Sequence, residues 1–135
     1  MSEPTVLLQF VTYQRDLRPF GRRIWSDGRV QLAAEDNPLP GPGERLDLDR
    51  EIAWADEQTL SAEQIAALRD AILAVRFFDL PVRMLINYCK EDPGTTIWTA
   101  MVDGRSGRVV VFDPRPRRSP ELDTLLARLT EVLAP

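Results

Sequence analysis

The segment from Leu60 to Pro81, LSAEQIAALRDAILAVRFFDLP, most constrains the fold, because its start, apolar face and stop are all written in the residues. It reads as a helix. Ser61 stands as N-cap with Gln64 three residues on, the spacing of a capping box, and Leu60 and Ile65 stand where a hydrophobic staple closes. Ile65, Leu68, Ile72 and Val75 recur at steps of three and four, while Glu63, Arg69, Asp70 and Arg76 take the other side. One face must therefore be buried. Phe77, Phe78 and Leu80 extend that apolar surface up to Pro81, which cannot continue a helix and disfavours helical geometry at Leu80. The aromatic plug at the helix end is core rather than a cofactor pocket.

A sheet is the natural cover for such a face, and the rest of the chain supplies strands. Thr5 to Tyr13, TVLLQFVTY, is rich in β-branched and aromatic residues and predicts a strand buried on much of both sides. RDLRPFG reads as a turn region interrupted by Pro19 and Gly21. RRIWSDGRVQLA then predicts a hairpin about Asp27-Gly28, a pair suited to a type I′ turn with positive φ at both central positions. Trp25 beside it reads as a packing residue. Glu35 to Gly43, EDNPLPGPG, holds three prolines and two glycines and predicts an exposed loop over about 35–44.

Arg45 to Trp54, RLDLDREIAW, alternates apolar and charged residues and predicts an outer strand, with Asp47, Asp49 and Glu51 on its solvated face. Val82 to Cys89 is a weaker strand pattern. IWTAMV and RVVVF flank Asp103 to Gly107 and predict a second hairpin. Ser119 as N-cap, Pro120 at the first helical position and Glu121 in the first turn open a terminal helix. Its apolar side comprises Leu122, Leu125, Leu126, Leu129, Val132 and Leu133. The order strands, helix, strands, helix gives a single α+β domain over residues 1–135, with a largely antiparallel sheet packed by a central and a C-terminal helix.

With 135 residues, the chain can bury roughly two thirds of its unfolded surface without a disulfide or a metal. It lacks a run of about eighteen apolar residues that would span a membrane, and MSEPTVLLQF has no basic stretch ahead of its apolar one. A cytoplasmic location is the expectation, with no membrane partner. Cys89 is the only cysteine and histidine is absent, so internal disulfides and the usual zinc sites fall away. Without histidine, the usual base for a serine or cysteine nucleophile is missing too. No phosphate-cradling glycine loop opens a helix, since DGRSGR lies between paired strands. Asp79 is the acid best placed for partial burial and hence for acid-base work. Neither it nor Cys89 sits in a catalytic constellation, so the reading is non-enzymatic with no cofactor.

The formal charge of −4 argues against general nucleic-acid binding, yet the charge is uneven. Eight acids against two arginines occupy Glu35 to Glu57, between arginine-rich stretches at Arg15 to Val30 and Arg105 to Arg118. The candidate interaction surface is Arg15, Arg18, Arg22 and Arg23 with Arg115, Arg117 and Arg118. Nothing aromatic interleaves the second group, as a single-strand binder requires for stacking.

The second half of the chain resembles the emfourin family. AVRFFDLP at Ala74 to Pro81, then Asp92, then IWTAMVDGRSGRVVVFD and a final PELDTLLARL carry the likeness. The resemblance implies a small α+β protein of a bacterial family whose named member inhibits thermolysin-type metalloproteases of its own bacterium. The first half departs from that outline, with RDLRPFG in place of a Gly-Gly after the first strand and with the acidic, proline-rich insert. The resulting expectation is a protein-interaction domain, possible as a protease-inhibitor-like module, for an unspecified protein partner. The alternative is a small-ligand or nucleic-acid module using the arginine-rich segments.

Overall fold

A computed structural model describes residues 3–13, 18–37, 51–85, 94–112 and 119–134. Its strands are β1 (Val6–Tyr13), β2 (Phe20–Trp25), β3 (Arg29–Ala33), β4 (Trp54–Thr59), β5 (Arg83–Leu85), β6 (Thr95–Val102) and β7 (Arg105–Phe112). Its helices are α1 (Ala62–Ala74) and α2 (Pro120–Leu133). The strands join in one sheet of order β4-β3-β2-β1-β6-β7-β5. Six of them run antiparallel to their neighbours, and β5 lies parallel to β7 at one edge. The fold is α+β, as the order of elements predicts.

β1 is apolar on both sides because it is central, paired with β2 on one flank and β6 on the other. Side chains alternate across a strand, so the two faces separate cleanly. Leu8, Ile24, Val30, Trp98, Ala100, Val102, Val109 and Val111 pack against Leu68, Ala71 and Ile72 of α1 and Leu122, Leu125, Leu129 and Leu133 of α2. This is the main core. Phe10 lies against Trp98 within it, ring centroids 5.0 Å apart. A second, smaller cluster of Val11, Tyr13, Ile97 and Val110 lies on the other side, with Ile52 and Trp54 packed on it. Neither helix contributes to that cluster.

Helix α1 begins as its sequence dictates. The Ser61 side chain accepts from the Gln64 N–H at 3.2 Å, and the Gln64 Oε1 accepts from the Ser61 N–H at 2.8 Å, completing the capping box. Its end differs from expectation. The helix stops at Ala74, Arg76 takes a left-handed conformation, and Phe77–Asp79 form a single 3-10 turn before Pro81 is reached. A continuous helix to Leu80 spaces Phe77 and Phe78 100° apart around its axis; the left-handed step redirects the chain so that Phe77 enters the core, 1% exposed. Phe78 then meets it edge-on. Helix α2 starts at Ser119 with Pro120 in its first turn, as read, but Leu126 lies off the buried stripe and is exposed.

The hairpin turns exchange character. At Asp27-Gly28 only Gly28 has positive φ, 100°, and the Gly28 N–H donates to the Trp25 carbonyl. The loop is therefore three residues, Ser26 to Gly28, closed by a left-handed glycine rather than a type I′ pair. The two-residue turn with both φ positive is instead Asp103-Gly104, at 51° and 81°, so Ser106 and Gly107 already belong to β7. Gly21 is likewise no turn residue. It sits inside β2, where a Cβ would fall 2.0 Å from the Phe10 carbonyl oxygen.

Of the expected strand from Arg45 to Trp54, the part among the described residues meets the sheet only at Trp54. Residues 45–50 lie outside the described residues, 51–53 are not in the sheet, and β4 begins where that strand was expected to end. WADEQT lacks alternation because a register shift between Val30 and Gln31 breaks its ladder with β3. Of the proline-rich loop only 35–37 are described, and Tyr88 and Cys89 also lie outside.

Candidate functional site

Of the arginines singled out from sequence, Arg15, Arg115, Arg117 and Arg118 lie outside the described residues. Arg18 is exposed just before β2. Arg22 and Arg23 are sequential in β2 and so point to opposite faces. Arg22 faces the helix side and pairs with Glu57 at 3.4 Å. Arg23 faces the side that no helix covers. The two are neighbours in sequence and belong to different surfaces.

On that open side, backbone register places Arg23 opposite Gln9, Gln9 opposite Thr99, and Thr99 opposite Arg108. One polar side chain from each of β2, β1, β6 and β7 thus forms a row across the strands. Three strand spacings put its arginine backbones about 14 Å apart. The row beside it is apolar, Val11, Ile97 and Val110. Ile52 and Trp54 overhang it from the chain leading into β4, with Tyr13 at the end of β1. Together with Glu51 these residues, Val110 apart, line an open cleft of about 220 Å³.

Arg23 is built into this cleft rather than draped over it. Its guanidinium carbon lies 4.5 Å from the Trp54 ring centroid and 5.1 Å from that of Trp25, and Arg29 lies 4.8 Å from Trp25 in turn. Aromatic faces attract guanidinium groups, so Trp54, Arg23, Trp25 and Arg29 form an alternating ladder. Arg23 Nε donates to Gln31 Oε1 at 3.1 Å, and the same oxygen accepts from Trp25 Nε1 at 2.8 Å. Gln31 is held in turn by its Nε2 donating to Asp56 Oδ1. Trp25 is therefore a packing residue, as expected, but what it packs on is arginine.

The wall carrying Glu51 and Ile52 is fixed by Asn37, which is 3% exposed. Its Nδ2 donates to the carbonyls of Ala34 and Ala53, and its Oδ1 accepts from the Ala53 N–H. Both of its amide donors and an acceptor site of its oxygen are thereby used on backbone.

Arg23 retains 16% of its side-chain exposure, and its Nη1 stands 3.6 Å from Oε1 of Glu51, whose own side chain is 84% exposed. Burial draws the Arg23 guanidinium below the ordinary arginine range, against the raising influence of the Glu51 carboxylate. It stays a cation at any physiological pH.

Asp79, expected to be the acid with the best claim to partial burial, is exposed at the last position of the 3-10 turn. The turn geometry that delivers Phe77 inward sends Asp79 outward, which removes the desolvation an acid catalyst needs. Among the described residues no group of three acids or cysteines is placed to hold a metal, and no helix is long and apolar enough to cross a membrane.

Gln9, Thr99 and Arg108 were not singled out from sequence. Their signal was the polar interruption of otherwise apolar central strands, Gln9 within VLLQFV and Thr99 within IWTAMV. It becomes a site only once register aligns the interruptions. Comparison of the chain with protein-family models, with curated proteins and with solved structures finds no match.

Proposed function

We propose that this protein is a non-catalytic interaction domain of the cytoplasm that presents the sheet face opposite its helices to a partner protein. The observation that supports this reading is the cleft around Arg23, whose cation is oriented by two tryptophans and a glutamine before any partner arrives. Such preorganisation lowers the ordering cost of binding, and tryptophan and arginine are the residues that dominate protein interfaces. Small-molecule pockets enclose roughly 300–1,000 Å³; a cleft of about 220 Å³ suits one protruding group of a larger partner better than a free ligand. The likeness of the second half to emfourin-like proteins makes a thermolysin-type protease a specific partner class to try first.

The test compares the wild-type domain with Thr99→Arg, which fills the cleft, and with Leu126→Glu on the outer face of α2. Each is mixed with a thermolysin-type protease, and each is used to capture proteins from a lysate of the source cells. The expected result is a partner or an inhibited protease for wild type and Leu126→Glu, lost in Thr99→Arg. Capture or inhibition that Thr99→Arg leaves intact, or none by wild type, overturns the reading.

A further inference from the structure

We propose that the cleft recognises a carboxylate borne by an extended segment of the partner, which displaces Glu51 from Arg23 on binding. The inference rests on the interaction reading above and names what that face takes hold of.

Three observations carry it. The first is the chemistry of the row: Arg23 and Arg108 stand at its two ends with the amide of Gln9 and the hydroxyl of Thr99 between them. The row is far longer than one carboxylate is wide, so it is the Arg23 end that takes the oxyanion: its guanidinium fork matches a planar carboxylate, with the amide of Gln9 next to it on β1. The second is the stem of Arg23. With Nε committed to Gln31 and the guanidinium carbon lying 4.5 Å and 5.1 Å from the Trp54 and Trp25 ring centroids, the Nη edge, which meets Glu51, is the part directed to an outside acceptor. The third is Glu51 itself. It meets that edge at 3.6 Å from a position almost wholly in solvent, a long and exposed pairing of the kind that holds weakly. Glu51 thus occupies the place of the ligand without filling the cleft. A carboxylate arriving with an apolar neighbour gains what Glu51 lacks, contact with Val11, Ile97 and Ile52 beside the row.

The apolar row beside Arg23 favours a carboxylate on a chain over a free inorganic anion, which has no apolar part to lay on Val11 and Ile97. At about 30 Å³ per water, the cleft holds roughly seven waters, room for one acidic residue and part of its neighbour. The open side of the cleft continues past Thr99 and Arg108 toward Met101 and Val6, so an extended segment can run on along the sheet.

The experiment titrates ¹⁵N-labelled protein with acetyl-Leu-Glu-Leu-amide, acetyl-Leu-Gln-Leu with a free C-terminus, acetyl-Leu-Gln-Leu-amide and inorganic phosphate. The readouts are the Arg23 Nε–H and the indole N–H signals of Trp25 and Trp54. One or both carboxylate peptides are expected to shift these signals saturably, and which one does so tells a side-chain carboxylate from a C-terminal one. Glu51→Gln is expected to tighten that binding by about threefold to tenfold by removing the competitor, and Arg23→Lys to weaken it by about tenfold. Glu51 is exposed, so its variant remains informative even if Arg23→Lys fails to fold. Silence of both carboxylate peptides in wild type and Glu51→Gln, equal binding of the neutral peptide, or a response to phosphate alone overturns the proposal. Those outcomes leave the interaction reading to be decided separately by Thr99→Arg.

Discussion

Thr12 and Thr96 face one another across the central strand pair, both buried, with their hydroxyl oxygens 2.8 Å apart. Each hydroxyl satisfies the other in a place water does not reach. Thr12→Val keeps the shape of the side chain and strips Thr96 of its partner, which costs about 1–3 kcal/mol as an unsatisfied buried group. Thr96→Val is expected to cost a similar amount. The double variant removes both polar atoms together, so its loss should be no larger than either single one and smaller than their sum. Urea titration of the four proteins measures this directly; additive losses would mean that the hydroxyls act independently and bond elsewhere. The same reasoning separates Asn37 from an ordinary loop residue. EDNPLPGPG reads as exposed from its composition, yet Asn37 is buried because its amide replaces a missing stretch of β-ladder between Ala34 and Ala53. Nothing local in the sequence distinguishes that asparagine from Asp36 beside it.

At the scale of elements, what could be read in advance were the features whose partners lie within four residues. Both helix starts were legible because Ser61 with Gln64, and Ser119 with Pro120, state their own geometry. The end of α1 was not, since Arg76 adopts its left-handed conformation for the sake of where Phe77 must go, a tertiary demand. β4 shows the converse: among the described residues the strand paired with β3 is WADEQT, which has no alternation in its sequence, because pairing with β3 through a register shift decides the matter. Gln64 ties the two helices together: besides closing the capping box, its Nε2 donates to the Val132 carbonyl of α2 at 3.0 Å. Gln64→Glu retains the acceptor for the Ser61 N–H and adds a charge favoured at a helix start, worth about 0.3–1 kcal/mol. It also loses the donor and sets a carboxylate against a carbonyl. The second effect is expected to win by about 1 kcal/mol at pH 7. Protonation restores a donor, so the deficit should shrink as pH falls through the carboxylate range; thermal melts at pH 7 and pH 4 compare the two. A variant more stable than wild type at pH 7 would show that the cap outweighs the link to α2.

For the whole molecule, β1 is the member on which both faces depend. It joins the β2-β3-β4 side of the sheet to the β6-β7 side, through a pairing with β6 that spans most of the chain, and it contributes Leu8 to the helix-covered core and Val11 to the open-face cluster. The fold class was legible from the order of elements, but this nonlocal pairing was not. The cleft was therefore not legible either, because Gln9, Arg23, Thr99 and Arg108 meet only after β1 has been threaded between β2 and β6. If β1 couples the two faces, they must unfold together. The three tryptophans report on each: Trp98 from the main core, and Trp25 and Trp54 from the ladder around Arg23. Leu8 is fully buried, so Leu8→Ala is expected to cost about 2–5 kcal/mol, a large share of a typical 5–15 kcal/mol. With a urea dependence of about 1–3 kcal/mol per molar, the midpoint should fall by roughly 2 M. Fluorotryptophan NMR resolves the three rings individually. All three native signals should vanish at one urea concentration in wild type and at one lower concentration in Leu8→Ala, although Leu8 touches only the helix side. Loss of the Trp25 and Trp54 signals ahead of Trp98 would instead mean that the open face comes apart by itself, and that the rigidity of Arg23 comes from its aromatic ladder rather than from the sheet beneath it.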